Sequence, residues 1–194
     1  MSVAGFVLVG GRSSRMGRDK ARLPVETHLL VEDVAAKVSC IAQSVVLVGH
    51  SHLYRDLKIE CLDDLRRACG PLAGIETALN SGRGDVSLIV ACDMPGLRLE
   101  WLEQLVTKAS LEESDCVVCR DASGAGHPLC SAWKTSCLPR VRRALDESRF
   151  RVLELIKELN PTYISISEAI PNVNTPEEWI AWRIRELREA APFS

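Results

Sequence analysis

Within thirteen residues near the N-terminus, Leu8-Val9-Gly10-Gly11-Arg12-Ser13-Ser14-Arg15-Met16-Gly17-Arg18-Asp19-Lys20, stand three glycines, three arginines and a lysine. Backbone N–H groups can converge on an anion only where side chains are missing, and Gly10, Gly11 and Gly17 provide that freedom. Arg12, Arg15, Arg18 and Lys20 supply positive charge, arginine as a planar fork and lysine as a compact ammonium. This is the composition of a triphosphate cradle. It lacks the Gly-Lys-Ser/Thr ending of a P-loop and the Gly-x-Gly-x-x-Gly spacing of a dinucleotide-binding turn. A basic turn in solvent could share its composition. Its place directly after the apolar run Val3-Ala4-Gly5-Phe6-Val7 argues for a strand feeding a ligand loop instead.

Other residues could do chemistry. Asp93 follows the apolar run 86–92, and a carboxylate emerging from a buried strand can hold Mg²⁺ against phosphates; the bland alternative is a cap for a helix starting near Leu97. Gly70-Pro71-Leu72-Ala73-Gly74 enters a helix, with proline suited to its start. Asp63 and Asp64 stand shortly before it, as ligand contacts or as turn carboxylates. His127, ahead of Pro128, is either structural or a ligand contact. Asn172 and Asn174 either bind ligand through their amides or order the turn before Thr175.

The elements that must position these groups alternate. Short apolar runs at 3–9, 44–48, 58–61, 86–92 and 115–120 predict strands, and three- and four-residue apolar spacings at 29–40, 72–81 and 100–109 predict helices. Such alternation implies an α/β fold with a mostly parallel central sheet and helices on both faces, ligands sitting beyond the carboxyl ends of the strands. Residues 127–133 read as extended, followed by helices at 136–146 and 149–158 and a strand at 162–165. A last helix is capped by Thr175 and Glu178 and carries Trp179, Ile180, Trp182, Ile184 and Leu187, expected to close over the core.

Four segments in order, Leu8-Val9-Gly10-Gly11 with Arg15-Met16-Gly17 and Asp19-Lys20, Gly70-Pro71-Leu72-Ala73-Gly74-Ile75, Asp93-Met94-Pro95, and Asn172-Val173-Asn174-Thr175-Pro176, resemble the molybdenum cofactor guanylyltransferase family of Rossmann-like nucleotidyltransferases. The resemblance spans nearly the whole chain. It implies GMP transfer from GTP to the terminal phosphate of molybdopterin, with release of pyrophosphate. It also implies nucleotide contacts at Leu8, Val9, Gly10, Gly11, Lys20, Asp63 and Asp93, with Asp63 preferred to Asp64 because it stands seven residues before Gly70. Arg15 and Lys20 would stabilise the transferring and leaving phosphates, Asp93 would bind Mg²⁺, and His127, Asn172 and Asn174 would lie on the acceptor side. Since the nucleophile is already an anionic phosphate, no strong base is required.

Gly10-Gly11 matches the guanylyl branch, where the cytidylyl branch tends to carry alanine first. Val9 departs from the usual alanine, Glu26-Thr27-His28 stands where the family commonly has a glycine, and Val48-Gly49-His50 where a polar nucleotide contact is often found. A cytidylyltransferase or a sugar- or polyol-phosphate nucleotidyltransferase is the competing enzyme reading, and a nucleotide-responsive binding protein the competing non-enzyme.

Composition bounds the rest. A chain of 194 residues is expected to form a single domain over 1–194. Its net charge of −2 provides no global field for nucleic acid. No apolar stretch approaches a membrane span and no basic residues precede the N-terminal run, so a cytoplasmic enzyme is expected, with accessory proteins of cofactor synthesis as its partners. Cys40, Cys61, Cys69, Cys92, Cys116, Cys119, Cys130 and Cys137 read as reduced and mostly buried small hydrophobes. The pair Cys116 and Cys119, with Cys130 and Cys137, could in principle bind zinc, but in a strand the two would face opposite sides.

Overall fold

The computed structural model describes residues 1–10, 16–167, 169–170 and 172–190, with residues 189 and 190 described by backbone alone. Gly11 and Arg15 lie outside the described residues. The strands are β1 (Val3–Leu8), β2 (Pro24–Val25), β3 (His28–Leu29), β4 (Ser44–Gly49), β5 (Cys61–Asp63), β6 (Val86–Ala91), β7 (Cys116–Arg120), β8 (Gly126–Lys134) and β9 (Pro161–Ser165). The helices are α1 (Leu30–Ser39), α2 (Pro71–Asn80), α3 (Leu99–Leu111), α4 (Leu138–Asp146), α5 (Val152–Glu158) and α6 (Pro176–Ala190).

Seven strands form one sheet in the order β5-β4-β1-β6-β8-β7-β9, and β2 pairs with β3 in a small separate hairpin. β1, β4, β5 and β6 are parallel, β9 is parallel to β7, and β8 runs antiparallel to both β6 and β7. The reversal has a local cause. A parallel return needs a crossover of roughly a dozen residues or more, whereas β7 and β8 are separated by residues 121–125 alone. There the Asp121 carboxylate accepts hydrogen bonds from the Ser123 and Ala125 amides at 2.9 and 3.1 Å, and Gly124 takes a left-handed φ of 84°.

All six residues of β1 and of β6 are buried, as expected of central parallel strands covered on both faces. One face packs Val7, Leu88 and Val90 against Val34 of α1, Leu102 of α3 and Trp182 of α6. The other packs Phe6, Leu8 and Ile89 against Leu72 of α2, Val141 of α4 and Leu155 of α5. Each layer removes large apolar surface from water, the main term favouring the fold.

Two details depart from the sequence expectations, and a third bears on a departure from the family pattern. The strand expected at 58–61 lies at Cys61–Asp63, because the alternation of Ile59 and Cys61 runs on without a stop signal; the shift puts Asp63 and Asp64 at the carboxyl edge. The last helix does not turn its whole apolar set inward: Trp179 and Trp182 are buried and stacked 5.1 Å apart, while Ile180, Ile184 and Leu187 are 56%, 46% and 63% exposed. On a helix these fall on two separate stripes, and the core takes the larger indoles. Glu26, near the missing family glycine, adopts φ 50° in the β2–β3 turn, a left-handed conformation that costs a non-glycine residue about 1–2 kcal/mol.

Candidate active site

The carboxyl ends of β1, β4, β5 and β6 are adjacent, and the chain leaves each of them into the site. Past β1, the Val9 amide donates to the Val48 carbonyl at 2.9 Å, so Gly10 emerges beside Gly49. A Cβ on Gly49 would fall 2.9 Å from the Gly10 nitrogen, which leaves glycine as the residue that fits there.

Lys20 is the hub. Its Nζ donates to Asn174 Oδ1 at 2.7 Å and lies 3.3 Å from Asp93 Oδ2, groups 154 and 73 positions away in sequence. The Asn174 turn is held from both sides. The Val173 amide donates to the Asp93 carbonyl at 3.0 Å. Glu178 Oε2 accepts from the amides of Asn174 and Thr175 at 2.6 and 3.1 Å, and the Glu178 amide donates to Thr175 Oγ1 at 3.2 Å, the capping box anticipated from sequence. Arg98, not Asp93, stands at the N-terminus of α3, so the carboxylate is not consumed as that helix's cap.

Leu8, Val9, Gly10, Asp19, Lys20, Cys92 and Asp93 line one cavity of about 110 Å³. It shares Leu8, Gly10 and Pro71 with a cleft of about 1000 Å³ that also takes in His50, His52, Asp63, Asp64, Gly70 and Gly74. Gly10, Lys20 and Asp93 therefore meet in one recess that opens onto a larger one.

The two neighbouring carboxylates are differently placed. Asp63 is exposed at the rim; its oxygens accept from the Ser51 amide at 2.8 Å and the Ser51 hydroxyl at 2.9 Å, and those bonds hold its carboxyl below the usual range. Asp64 is half-buried in the cleft wall. Its oxygens sit 3.5 and 3.6 Å from where side chains on Gly10 and Gly74 would begin, and no donor reaches its carboxylate among the described residues. Burial pushes its pKa up. Gly74 is needed less for a ligand than for Leu8, whose Cδ2 would meet a Cβ at 3.0 Å. Arg66 also lines the cleft, but it is held by buried Glu76 at 2.9 Å and by Asp146 at 2.6 Å.

β8 carries His127 to the same edge of the sheet. Its Nε2 lies 2.9 Å from Asp121 Oδ2, with both side chains under 15% exposed, and the bonds from Ser123 and His127 hold the Asp121 carboxyl at about 2. Leu129, two residues on, lines the recess with Lys20 and Asp93. Asn172 is exposed in the turn before Asn174.

Sequence reasoning passed over Tyr54 and Ser51. Nothing in a lone tyrosine or serine between two strands marks it, and only the fold reveals what each touches.

The cysteines follow their strands. Cys116 packs in one core layer and Cys119 in the other, so the pair cannot share a metal ion, and the described residues contain no cluster of three or more His, Cys, Asp or Glu side chains of the kind that holds zinc. Burial pushes the thiol of Cys137 up to about 12 and raises those of Cys92 and Cys116 as well; the Cys130 thiol is raised by its hydrogen bond with Cys119, at 3.3 Å, and by burial. A thiol reagent at neutral pH is therefore expected to modify exposed Cys40 first and to spare Cys116, Cys119, Cys130 and Cys137 until denaturant is added. Fast labelling of any of these four in the native protein, read by peptide mass spectrometry, would contradict the packing.

A mostly parallel sheet whose carboxyl edge brings together Gly10, Lys20 and the strand-end carboxylate of Asp93 is the framework of a nucleotidyltransferase. Residues 5–161 match the family model for the MobA-like NTP transferase domain. A probable molybdenum cofactor guanylyltransferase of Carboxydothermus hydrogenoformans is 32% identical over 182 residues, covering 89% of this chain and 91% of the relative. One of Flavobacterium johnsoniae is 29% identical over 177 residues, covering 89% and 92%. Molybdopterin-guanine dinucleotide biosynthesis protein A from Archaeoglobus fulgidus has the same fold, with a TM-score of 0.81 at 24% identity over 97% of this chain and all of that one. The chain belongs to the MobA-like NTP transferase family. Among the described residues no helix is long and apolar enough to cross a membrane.

Proposed function

We propose that this protein transfers GMP from GTP to the terminal phosphate of molybdopterin, giving the guanine dinucleotide and pyrophosphate. The observation that carries the reading is Lys20, fixed between Asp93 and Asn174 in a recess that Gly10 shares with a cleft large enough for a nucleoside. The names of the relatives supply the acceptor and the nucleotide.

In this reading the base and ribose occupy the larger cleft. The phosphates cross Gly10 into the recess, where Lys20 neutralises them; Gly11 and Arg15, outside the described residues, are assigned to the phosphates on the family resemblance alone. An oxygen of the acceptor phosphate attacks the α-phosphorus in line, the bond to the bridging α,β-oxygen breaks, and pyrophosphate carries the electron pair away. Lys20 stabilises charge developing on the leaving group, so catalysis is positioning and neutralisation. Asn174 fixes the ammonium, and Asn172 and His127 face the acceptor.

Asp93 fits a Mg²⁺ role. It offers a strand-end carboxylate with Lys20 on one oxygen, and Mg²⁺ is commonly held by one or two carboxylates plus substrate phosphates. When bound, the ion would supply charge neutralisation on the phosphates.

Asp64 favours guanine. Asp64 is half-buried in the cleft wall with no donor on it among the described residues, so a ligand with adjacent N–H groups would find two free acceptor oxygens there. Guanine presents a ring N–H beside its amino group, whereas cytosine presents a single amino donor. Asp63, held by Ser51, shapes the rim next to it.

The test is a panel of GTP, CTP, ATP and UTP with Mg²⁺ and molybdopterin, read by pyrophosphate release. Turnover with GTP at least tenfold above the others is expected; preferential use of CTP, or no turnover with molybdopterin, would refute the assignment. In parallel, GTP with Mg²⁺ should raise the melting temperature most, since a ligand specific for the native state stabilises by mass action.

A further inference from the structure

The short segment joining β4 to β5 takes no part in the chemistry above, yet one of its side chains reaches both Val9 and Asp19. Tyr54 is 2% exposed. Its hydroxyl lies 2.8 Å from Asp19 Oδ2 and 3.2 Å from the carbonyl oxygen of Val9, donating chiefly to the nearer, charged acceptor. Val9 and Asp19 are the residues on either side of the stretch 10–18. A single phenol therefore joins the residue that follows β1 to the residue that precedes Lys20.

Each partner is itself fixed. The other Asp19 oxygen accepts from the Ala21 amide at 3.0 Å, capping the short helical turn at Lys20–Arg22, so that Lys20 leaves directly from a carboxylate gripped on both sides. Arg22 lies over the Tyr54 ring at 5.7 Å, forks onto Asp56 at 2.6 and 2.9 Å, and donates to the Leu53 carbonyl. Burial and the bond to Asp19 push the phenol well above its ordinary pKa, which keeps it a donor. The same segment turns its other side to the large cleft. His50 and His52 line that cleft, and Ser51 binds Asp63.

We propose that Tyr54 is a positioning residue that ties the end of β1 to Asp19 and, through Asp19, sets Lys20 at a fixed distance from the nucleoside cleft. The inference rests on the reading of these two recesses as one nucleotide site. Removing the hydroxyl leaves a partly buried Asp19 oxygen without its donor and unties residues 9 and 19, a loss that falls on contacts to the triphosphate and not on those to the nucleoside.

Tyr54→Phe keeps the ring, its packing and the Arg22 contact, and removes only the hydroxyl. Calorimetric titration of the full chain with GTP and with guanosine, each with Mg²⁺, should show affinity for GTP about tenfold weaker in Tyr54→Phe, equivalent to about 1.4 kcal/mol, and affinity for guanosine unchanged. Asp19→Asn should reproduce the pattern, and the double variant should be no weaker than either single one, because the two act as one unit. Equal losses for GTP and guanosine would make Tyr54 a mere support of the fold, and undiminished GTP binding in Tyr54→Phe would remove the role; either result overturns the proposal. Native protein that binds GTP no more tightly than guanosine would instead refute the cradle itself, a different result recognisable before any variant is made.

Discussion

Replacement of Asp93 by alanine is expected to lower turnover by on the order of 10³-fold or more while the protein remains folded. The asymmetry between activity and stability comes from what Asp93 touches. Its side chain is 24% exposed and its one ion pair, to Lys20 at 3.3 Å, is partly screened by solvent, so losing it costs the fold about 1 kcal/mol or less. The bond that pins the α6 turn uses the Asp93 carbonyl, which alanine retains. In the proposed reaction, by contrast, the carboxylate is the group that would hold Mg²⁺ against the phosphates, and Asp19, the other described carboxylate lining the recess, already accepts from the Ala21 amide and the Tyr54 hydroxyl. Pyrophosphate release at saturating GTP, beside a thermal melt, separates the two effects. A variant that melts within a few degrees of the native protein and retains a tenth of its turnover would remove Asp93 from the mechanism.

Lys20→Met should cost roughly 10²- to 10³-fold in turnover, the scale associated with removing one charged stabiliser from a site where charge develops. Methionine fills similar space, so the effect reads the ammonium. Lys20→Arg is expected to rescue little. The Nζ sits 2.7 Å from Asn174 Oδ1 and beside Asp93 in a part-buried recess, and a planar guanidinium is longer and donates in a fixed fork. Lysine and aspartate act on the same phosphates, so the double variant Lys20→Met/Asp93→Ala should be little worse than the poorer single one. Multiplying losses in single-turnover measurements would show that the two groups act on separate steps.

The alternation of apolar runs and helical spacings was enough to foresee the parallel sheet, because strands buried on both faces must be apolar throughout and helices covering them must be apolar on one side. The capping box at Thr175 and Glu178 was legible for a similar reason: it is built from neighbours. Boundaries were not legible where the pattern ran on without punctuation, as at β5, where a shift of a few residues decided that Asp63 and Asp64 emerge at the ligand edge. Nor was the outward stripe of α6 legible, since Ile180, Ile184 and Leu187 are as apolar as residues that do pack inward.

By itself the amino-acid order determined which chemistry the chain could perform. A run of glycines beside arginines and lysine, an aspartate at the end of a buried strand and an asparagine before a capped helix are local features, set by residue types a few positions apart. Only the tertiary structure decided that Lys20 and Asn174, 154 positions apart, form a bond, that Asp64 has no donor among the described residues while Asp63 is held by Ser51, and that Tyr54 reaches both Val9 and Asp19. Strand order is what brings them together: β4, β1 and β6 lie side by side although long stretches of chain separate them. Contacts of that kind depend on how helices and sheet pack as a whole, and no short window of sequence carries the information.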